Sequence, residues 1–425
     1  MRSLTTKQIR WLGWGVLMAG FVLLSLYRLS TAVIAEPLMR AFDTDGGGLG
    51  TLHAAFFYVY APLQLVAGVL SDRAGIRRTA TLGTVVLAGG GFLFAAAGSY
   101  PVALLARVVI GIGGSLLYIT TLRFCANWFR PREFATMSGL TTAGSGLGGV
   151  LAATPFAIAV AAVGWRSTVA GLAVVAVAIT VSIWLFVRDS PADAGIDPIE
   201  NVPKTTDLTL ATVWGNLREV ARDRTTWLAG LTIFCSNGIN LSVLGLWGVP
   251  YLVQTHGLSV TAASTYTLLG SVGLLVGTPA VGYLSDRLEQ RTAVVVVGSL
   301  VYVLALGSLA ALQQPPLALV AGALFLAGFL TGAFVLGYTV VKEQFSAEKS
   351  GVAIGAVNAI AFIGPALVPT AMGIALDTYW TGETIAGARV YTQLGYQVAF
   401  GLTVVVAMLG VGCAMWLHHE VDRTA

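Results

Sequence analysis

Gly68-Val-Leu-Ser-Asp72-Arg73-Ala-Gly75-Ile-Arg77-Arg78 and Gly282-Tyr-Leu-Ser-Asp286-Arg287-Leu-Glu-Gln-Arg291 carry the same string, G-x-L-S-D-R, 214 residues apart in a chain of 425. Each is a short charged turn between long apolar runs. Two copies of one turn, at the same place in each half, mark an internal repeat.

Working outward from these turns, six apolar runs lie near 11–36, 49–70, 79–98, 101–125, 135–162 and 167–187. Six more lie near 226–253, 260–284, 292–312, 317–341, 351–376 and 396–417. A membrane-crossing helix needs about 20 apolar residues. Twelve helices of roughly 24 residues would use about 290 residues, which leaves room for loops and ends. Each repeated turn therefore joins the second and third helix of its half. Composition agrees: 56% of residues are hydrophobic and only 10% are charged, where a soluble domain carries roughly 25% charged. That excludes a cytosolic enzyme, a nucleic-acid binder and a disordered scaffold. Barrel strands would be shorter and would alternate in polarity, which excludes a β-barrel. Glycine is abundant, at 51 residues, as expected where helices pack through small residues.

The basic residues set the orientation. With the N-terminus inside, 18 of the 24 Lys and Arg residues fall in inside segments. Arg40, Arg166 and Arg389 fall outside, and Arg28, Arg107 and Arg123 fall within apolar runs. This bias places both termini in the cytoplasm of a multi-pass protein of the cell membrane. The chain divides into an N-terminal bundle at 1–187, a linker at 188–225 with a surface helix near 211–222, and a C-terminal bundle at 226–425. The three cysteines form no disulfide framework. No metal-ligand cluster, nucleotide-binding loop or catalytic constellation stands out, so no cofactor, no metal and no enzymatic activity are expected.

The intramembrane charges carry the functional reading. A charge at mid-membrane costs roughly 2.5–3.5 kcal/mol on insertion scales and persists where it faces a cavity or a partner. Arg28 lies about 17 residues, or ~25 Å, into the first helix from Trp11, far from either face. No Asp or Glu lies deep in any helix. An unpaired arginine without a deep carboxylate favours an anionic cargo, with Arg28 as its counter-ion. Arg107 begins a helical stripe with Gly111, Gly114 and Tyr118 that either lines a cavity or packs on the first helix. Arg123, near the inner end of its helix, is expected to pair with Asp72. In the seventh helix Asn237 and Asn240 are three apart and share a face, which suits ligand contact or helix–helix bonding. Tyr58, Gln64, Trp247, Tyr338 and Asn358 are further candidates for the wall. His53 reads as interfacial.

The string G-x-x-x-D-R-x-G-x-R-R between the second and third of twelve helices resembles the signature loop of the major facilitator superfamily. The match at 68–78 is complete, and the second copy departs from it at Leu288 and Glu289. The resemblance implies an all-α membrane protein with twelve helices in two pseudo-symmetric six-helix bundles. It also implies a central cavity and alternating access by rocking. The turn then reads as a gate, built from Asp72, Arg73, Gly75, Arg123, Asp286 and Arg287. The plainer reading is a basic loop that only fixes topology.

Tyr27-Arg28, the string Phe56-Phe-Tyr-Val-Tyr-Ala-Pro-Leu-Gln-Leu65, and the linker from Arg188 to Glu200 resemble the organophosphate and organic-anion branch of that superfamily. Tyr27 joins the candidate site on that basis. Exchangers of phosphate esters in that branch use an arginine from each half, whereas the seventh helix here offers Asn237 and Asn240. A carboxylate or sugar acid is easier to accommodate. Drug antiporters carry G-P-x-x-G-G in the fifth helix, where this chain has Gly144-Ser145-Gly146-Leu147-Gly148-Gly149. The expectation is a monomeric secondary transporter for a small organic anion, coupled to a proton or sodium gradient. Alternatives are an amino-acid transporter, a proton-coupled efflux pump for amphipathic compounds, and a transporter-like receptor.

Overall fold

A computed structural model describes residues 5–196, 215, 218–385 and 388–424. Eleven helices are long and apolar enough to cross a membrane, and the bent pair Gly46–Gln64 and Val66–Ala74 makes a twelfth span. In chain order the spans are Thr6–Ala32, Gly46–Ala74, Ile76–Ala96, Tyr100–Trp128, Thr136–Val163 and Trp165–Phe186. Then come Arg224–His256, Val260–Leu288, Arg291–Ala311, Leu317–Gln344, Gly351–Asp377 and Gln393–Arg423. They form the two six-helix bundles expected from the repeat.

Local chemistry sets where the spans begin. Thr5 and Gln8 form a reciprocal cap on span 1. The Asp45 carboxylate accepts from the Gly48 N–H at 2.7 Å to start span 2, and Asp223 does the same for span 7 through Thr226 N–H at 2.7 Å. These caps satisfy backbone donors that lipid could not. Span 2 bends by 54°, and Pro62 lies within it. A mid-helix proline removes one backbone bond and crowds a carbonyl, which kinks the helix. The signature turn closes at Gly75, whose φ of +87° suits glycine.

The spans touch closely because lipid offers no hydrophobic drive between helices and packing must supply the attraction. A Cβ at Gly277 of span 8 would collide with the Phe329 carbonyl oxygen of span 10. Large apolar side chains such as Val181, Val297, Leu304 and Leu409 stay exposed on the outer faces, where the bilayer would cover them. Span 7 is far more enclosed than span 6, with 72% of an 18-residue apolar stretch buried against 22%. It therefore lies at the centre of the molecule, with span 6 at its edge.

Two elements differ from the sequence expectation. The apolar run 11–36 is not one helix: span 1 ends in a short 3-10 turn at Ala32, and a separate helix Ala35–Phe42 follows. That helix is amphipathic, burying Leu38, Met39 and Phe42 while Arg40 stays exposed. Between spans 11 and 12 a two-stranded antiparallel hairpin, β1 (Trp380–Ile385) and β2 (Ala388–Tyr391), covers the far end, away from the termini. Gln254 of span 7 pins it, donating to the Arg389 carbonyl and accepting from the Tyr391 N–H, both at 3.1 Å. The helix expected near 211–222 lies largely outside the described residues, with Arg218–Val220 helical at its end.

The two bundles meet tightly at the far end. The Asp377 carboxylate, closing span 11, accepts from the Gly46 N–H at 2.9 Å and the Gly47 N–H at 2.7 Å, the first residues of span 2. A helix N-terminus presents free N–H donors and a positive dipole end, so a carboxylate binds there favourably. Arg389 and the Tyr391 hydroxyl also donate to Asp377, at 3.2 and 3.1 Å. Burial, and next the Asp377 carboxylate, push the Tyr391 hydroxyl above the ordinary phenol range, so it remains a donor at physiological pH. A Cβ at Gly50 would lie 2.6 Å from the Pro369 carbonyl oxygen, so glycine is required for this approach.

At the terminal end the ion pairs join groups of one bundle. Arg10 pairs with Glu133 at 3.2 Å and Asp72 with Arg123 at 2.6 Å in the first bundle. Arg291 pairs with Asp286 at 2.9 Å and Glu343 at 2.8 Å in the second. Lys349 pairs with Glu219 at 2.7 Å, tying span 11 to the linker. Among the described residues no ion pair joins the bundles at this end. The halves are latched at one end and unlatched at the other.

Candidate functional site

Arg28 lies in the last turn of the helix Thr6–Leu29, near the far end of span 1 rather than at its middle, and is 6% exposed. Its Nη2 donates to the Ser145 hydroxyl of span 5 at 2.7 Å and to Ser25 at 3.4 Å. Its Nε has no partner among the described residues. The guanidinium carbon stands 5.9 Å from the centre of the Phe362 ring of span 11. A guanidinium has five N–H donors in a fixed fork, and only hydroxyls engage it here. No carboxylate pairs with it among the described residues. The site therefore keeps a buried positive charge with donors to spare, which suits a planar anion.

A polar chain crosses between the bundles beside it. Gln64 of span 2 contacts the Asn358 amide of span 11, and the Tyr338 hydroxyl of span 10 donates to Asn358 Oδ1 at 2.8 Å. The Gln64 Nε2 has no partner among the described residues. Tyr60 lies one turn before Gln64 on the same face of span 2, its ring centre 5.1 Å from that of Phe56. Tyr118 of span 4 packs its ring 5.0 Å from that of Phe21, and its hydroxyl lies 3.2 Å from that of Thr142. Phe362 lies across the group from the second bundle, its ring centre 5.0 Å from that of Tyr60. Tyr118, Ser145, Tyr338 and Asn358 are half-buried, as cleft-lining groups would be.

Of the residues expected from sequence, Arg28, Gln64, Tyr118, Tyr338 and Asn358 converge in this way. Six others do not, and for five of them the reasons are physical. Tyr27 is buried in the opposite direction, its hydroxyl 3.4 Å from the Val169 carbonyl of span 6. Arg107 is consumed by backbone: it donates to the carbonyls of Tyr27 at 3.1 Å and of Leu52 and His53 at 3.4 Å. The glycines of its stripe pack, since a Cβ at Gly114 would run into Leu24 of span 1, and only Tyr118 at the end of the stripe joins the group. Asn240 accepts from the buried Tyr302 hydroxyl at 3.0 Å and donates to Thr331 at 2.9 Å, joining spans 7, 9 and 10. Trp247 is fully buried and donates to the Pro369 carbonyl at 3.0 Å. Tyr58 is 52% exposed, on the stripe it shares with Pro62 and Val66 and away from Tyr60 and Gln64. Asn237 is half-buried with no hydrogen bond among the described residues. His53, read as interfacial, is instead fully buried.

Sequence reasoning missed Tyr60, Thr142, Ser145 and Phe362. The i, i+4 spacing of Tyr60 and Gln64 was a usable signal. Ser145 was visible only as a missing proline, and its hydroxyl proves to be the main partner of Arg28. Phe362 carried no signal, since apolar residues abound in every span.

In the signature turn, Asp72 pairs with Arg123 as expected, while Arg73 is exposed. Beneath Gly75 the Asp189 carboxylate accepts from the Arg77 N–H at 2.7 Å, at the start of span 3. These groups line a cavity of about 150 Å³ with Ser71, Asn127 and Ser190. In the second copy Asp286 pairs with Arg291, and Arg287 is exposed.

The sequence profile of the Major Facilitator Superfamily matches residues 16–369 and 237–424. A probable sulfoacetate transporter of Cupriavidus necator is 26% identical over 286 residues, covering 65% of this chain and 65% of that one. A hexuronate transporter of Bacillus subtilis is 25% identical over 277 residues, covering 63% of this chain and 62% of that one. The chain thus spans somewhat less than two thirds of the length of these two relatives. A crystal structure of a bacterial homologue of the human lysosomal transporter spinster, inward-facing and unoccupied, superposes with a TM-score of 0.82. It covers 97% of this chain and 98% of its own at 19% identity, so it speaks to the fold alone.

Proposed function

Because the chain belongs to the major facilitator superfamily, whose members are membrane transporters and not enzymes, we propose that it moves a small organic anion across the membrane by alternating access. The observation that carries the reading is Arg28: a buried guanidinium in the last turn of the first helix, with unused donors, hydroxyl neighbours and no carboxylate partner among the described residues. An anionic head group would take the fork of Arg28, with Ser145 holding the fork in place. The hydroxylated remainder of the cargo would meet Tyr118, Tyr338, Asn358 and Gln64, which offer both donors and acceptors. A carboxylate or sulfonate with a polar body fits this arrangement. The names of the sulfoacetate and hexuronate relatives point to the same class. The termini lie in the cytoplasm on the balance of basic residues, with bundles at 1–187 and 226–425 joined by the linker at 188–225. The latched far end then faces outward and the site opens inward. The Asp72–Arg123 pair belongs to the inner gate, which would close in the opposite state.

The experiment is thermal unfolding of the purified protein with D-glucuronate, sulfoacetate and glycerol 3-phosphate, beside tetraphenylphosphonium as a cation. Stabilisation by an acid, lost in R28Q, is the expected result. Stabilisation by the cation alone, or by an acid equally in R28Q, would sink the reading. Accumulation of the same acid in sealed proteoliposomes then tests movement rather than binding.

A further inference from the structure

His53 of span 2 is 0% exposed, and neither ring nitrogen has a hydrogen-bond partner among the described residues. Buried polar side chains are normally bonded, and a neutral imidazole carries one donor and one acceptor nitrogen that would both find partners if partners were near. The Leu241 carbonyl of span 7 lies near the ring without reaching ordinary hydrogen-bond geometry.

The wall over the ring belongs to the other bundle. Span 7 relaxes into a π-helical turn over Val243–Trp247, and Gly245 in that turn faces the ring edge. A Cβ there would lie 3.4 Å from His53 Cε1 and 3.6 Å from Nε2. Such turns often mark functional positions. From span 1 the charged group facing the ring is Arg28, and from span 4 it is Arg107, which also donates to the His53 carbonyl at 3.4 Å. Span 7 presents no charged group to it, and span 2 itself presents the Phe57 ring at 5.5 Å between centres. On span 11 the carboxylate is Asp377, bound at Gly46 and Gly47 some six or seven residues, or ~10 Å, along span 2. While the wall is in place, the ring is shut off from solvent, and a proton on it would stand beside the Arg107 guanidinium with no well-aligned acceptor among the described residues. When the bundles part at the far end, span 7 withdraws and the ring meets solvent.

We propose that His53 is a proton-binding site whose occupancy is tied to separation of spans 2 and 7: the ring is neutral while the far end is closed and takes a proton from water as it opens. The proposal goes beyond the organic-anion reading and does not depend on the identity of the cargo. The other three histidines, His256, His418 and His419, lie at the ends of spans 7 and 12. No carboxylate lies deep in a span to compete for the role. Linkage fixes the sign: the form that binds the proton is favoured by acid, and one proton shifts the opening equilibrium by up to about tenfold per pH unit.

The test uses the full chain in lipid nanodiscs without substrate, with one nitroxide label per bundle at the far end and distances read by pulsed electron resonance from pH 5 to 8.5. The long-distance population is expected to grow as pH falls. H53Q should flatten that response. D377N should raise the long-distance population at every pH while leaving the slope, because it weakens the latch without touching the ring. A wild-type protein insensitive to pH, an H53Q protein with the wild-type slope, or a D377N protein without a slope would each overturn the proposal. Should H53Q not fold, the wild-type and D377N scans still decide it.

Discussion

Arg28 and Arg107 are alike in sequence, both buried and both without an acid nearby, and they differ entirely in what surrounds them. Arg107 spends its donors on three carbonyls of spans 1 and 2, whereas Arg28 holds two hydroxyls and keeps Nε free. The two variants should therefore fail differently. R28K keeps the charge but loses the fork, and a charged hydrogen bond is worth about 1.5–3 kcal/mol. Its affinity for the anionic ligand should fall at least about tenfold in equilibrium binding, with its unfolding temperature near that of the wild type. R107A should instead unfold at lower temperature with ligand absent, since three buried carbonyls lose their donor. A selective loss of binding in R107A would contradict its assignment to packing. Sequence could not tell these arginines apart, because depth is readable along one helix but the neighbour across the gap is not. The same limit hid Ser145 and left unseen that Tyr27 and Asn240 turn to helices of their own bundles, Tyr27 to span 6 and Asn240 to spans 9 and 10.

The spans themselves were almost fully legible, because lipid tolerates only a self-bonded helix of a fixed minimum length. What escaped were the elements that do not cross: the helix Ala35–Phe42 and the hairpin at 380–391, which obey no such length rule. Span 2 is the element on which most of the mechanism rests. It carries the latch glycines, His53, Tyr60, Gln64, the kink and the signature turn. Its first turn lies against span 11 closely enough that a Cβ at Gly47 would be 3.2 Å from Ile374 Cγ1. The pair G47C and I374C should therefore cross-link under mild oxidation and stop uptake, with recovery on reduction. Unimpaired uptake by the oxidised protein would show that spans 2 and 11 need not part. At the start of the fifth helix, the Glu133 carboxyl is held below the ordinary carboxylate range, first by the Arg130 N–H and then by Arg10. Its stabilising effect is present above the ordinary carboxylate pKa and lost as pH falls through the lowered value. E133Q should accordingly narrow the stability difference between pH 7 and pH 3 slightly, as read by thermal unfolding, because the group is largely solvated.

At the scale of the whole molecule, the two bundles are held at the far end by one carboxylate seated on a helix start, with Arg389 and Tyr391 in support. Nothing comparable joins them at the terminal end among the described residues. D377N should thus shift the resting population toward far-end opening, seen as faster alkylation of a cysteine placed at Gly47, where a Cβ fits 3.2 Å from Ile374 Cγ1. The latch is also lopsided in its chemistry. On span 11 it is made of side chains, and on span 2 it is made of main chain. Replacing residues one at a time along the start of span 2 can crowd this contact, but no substitution short of proline deletes its hydrogen-bond donors. Inheritance can therefore remove the latch's acceptor in one step from the side of Asp377, while the donors on the other half stay written into the backbone.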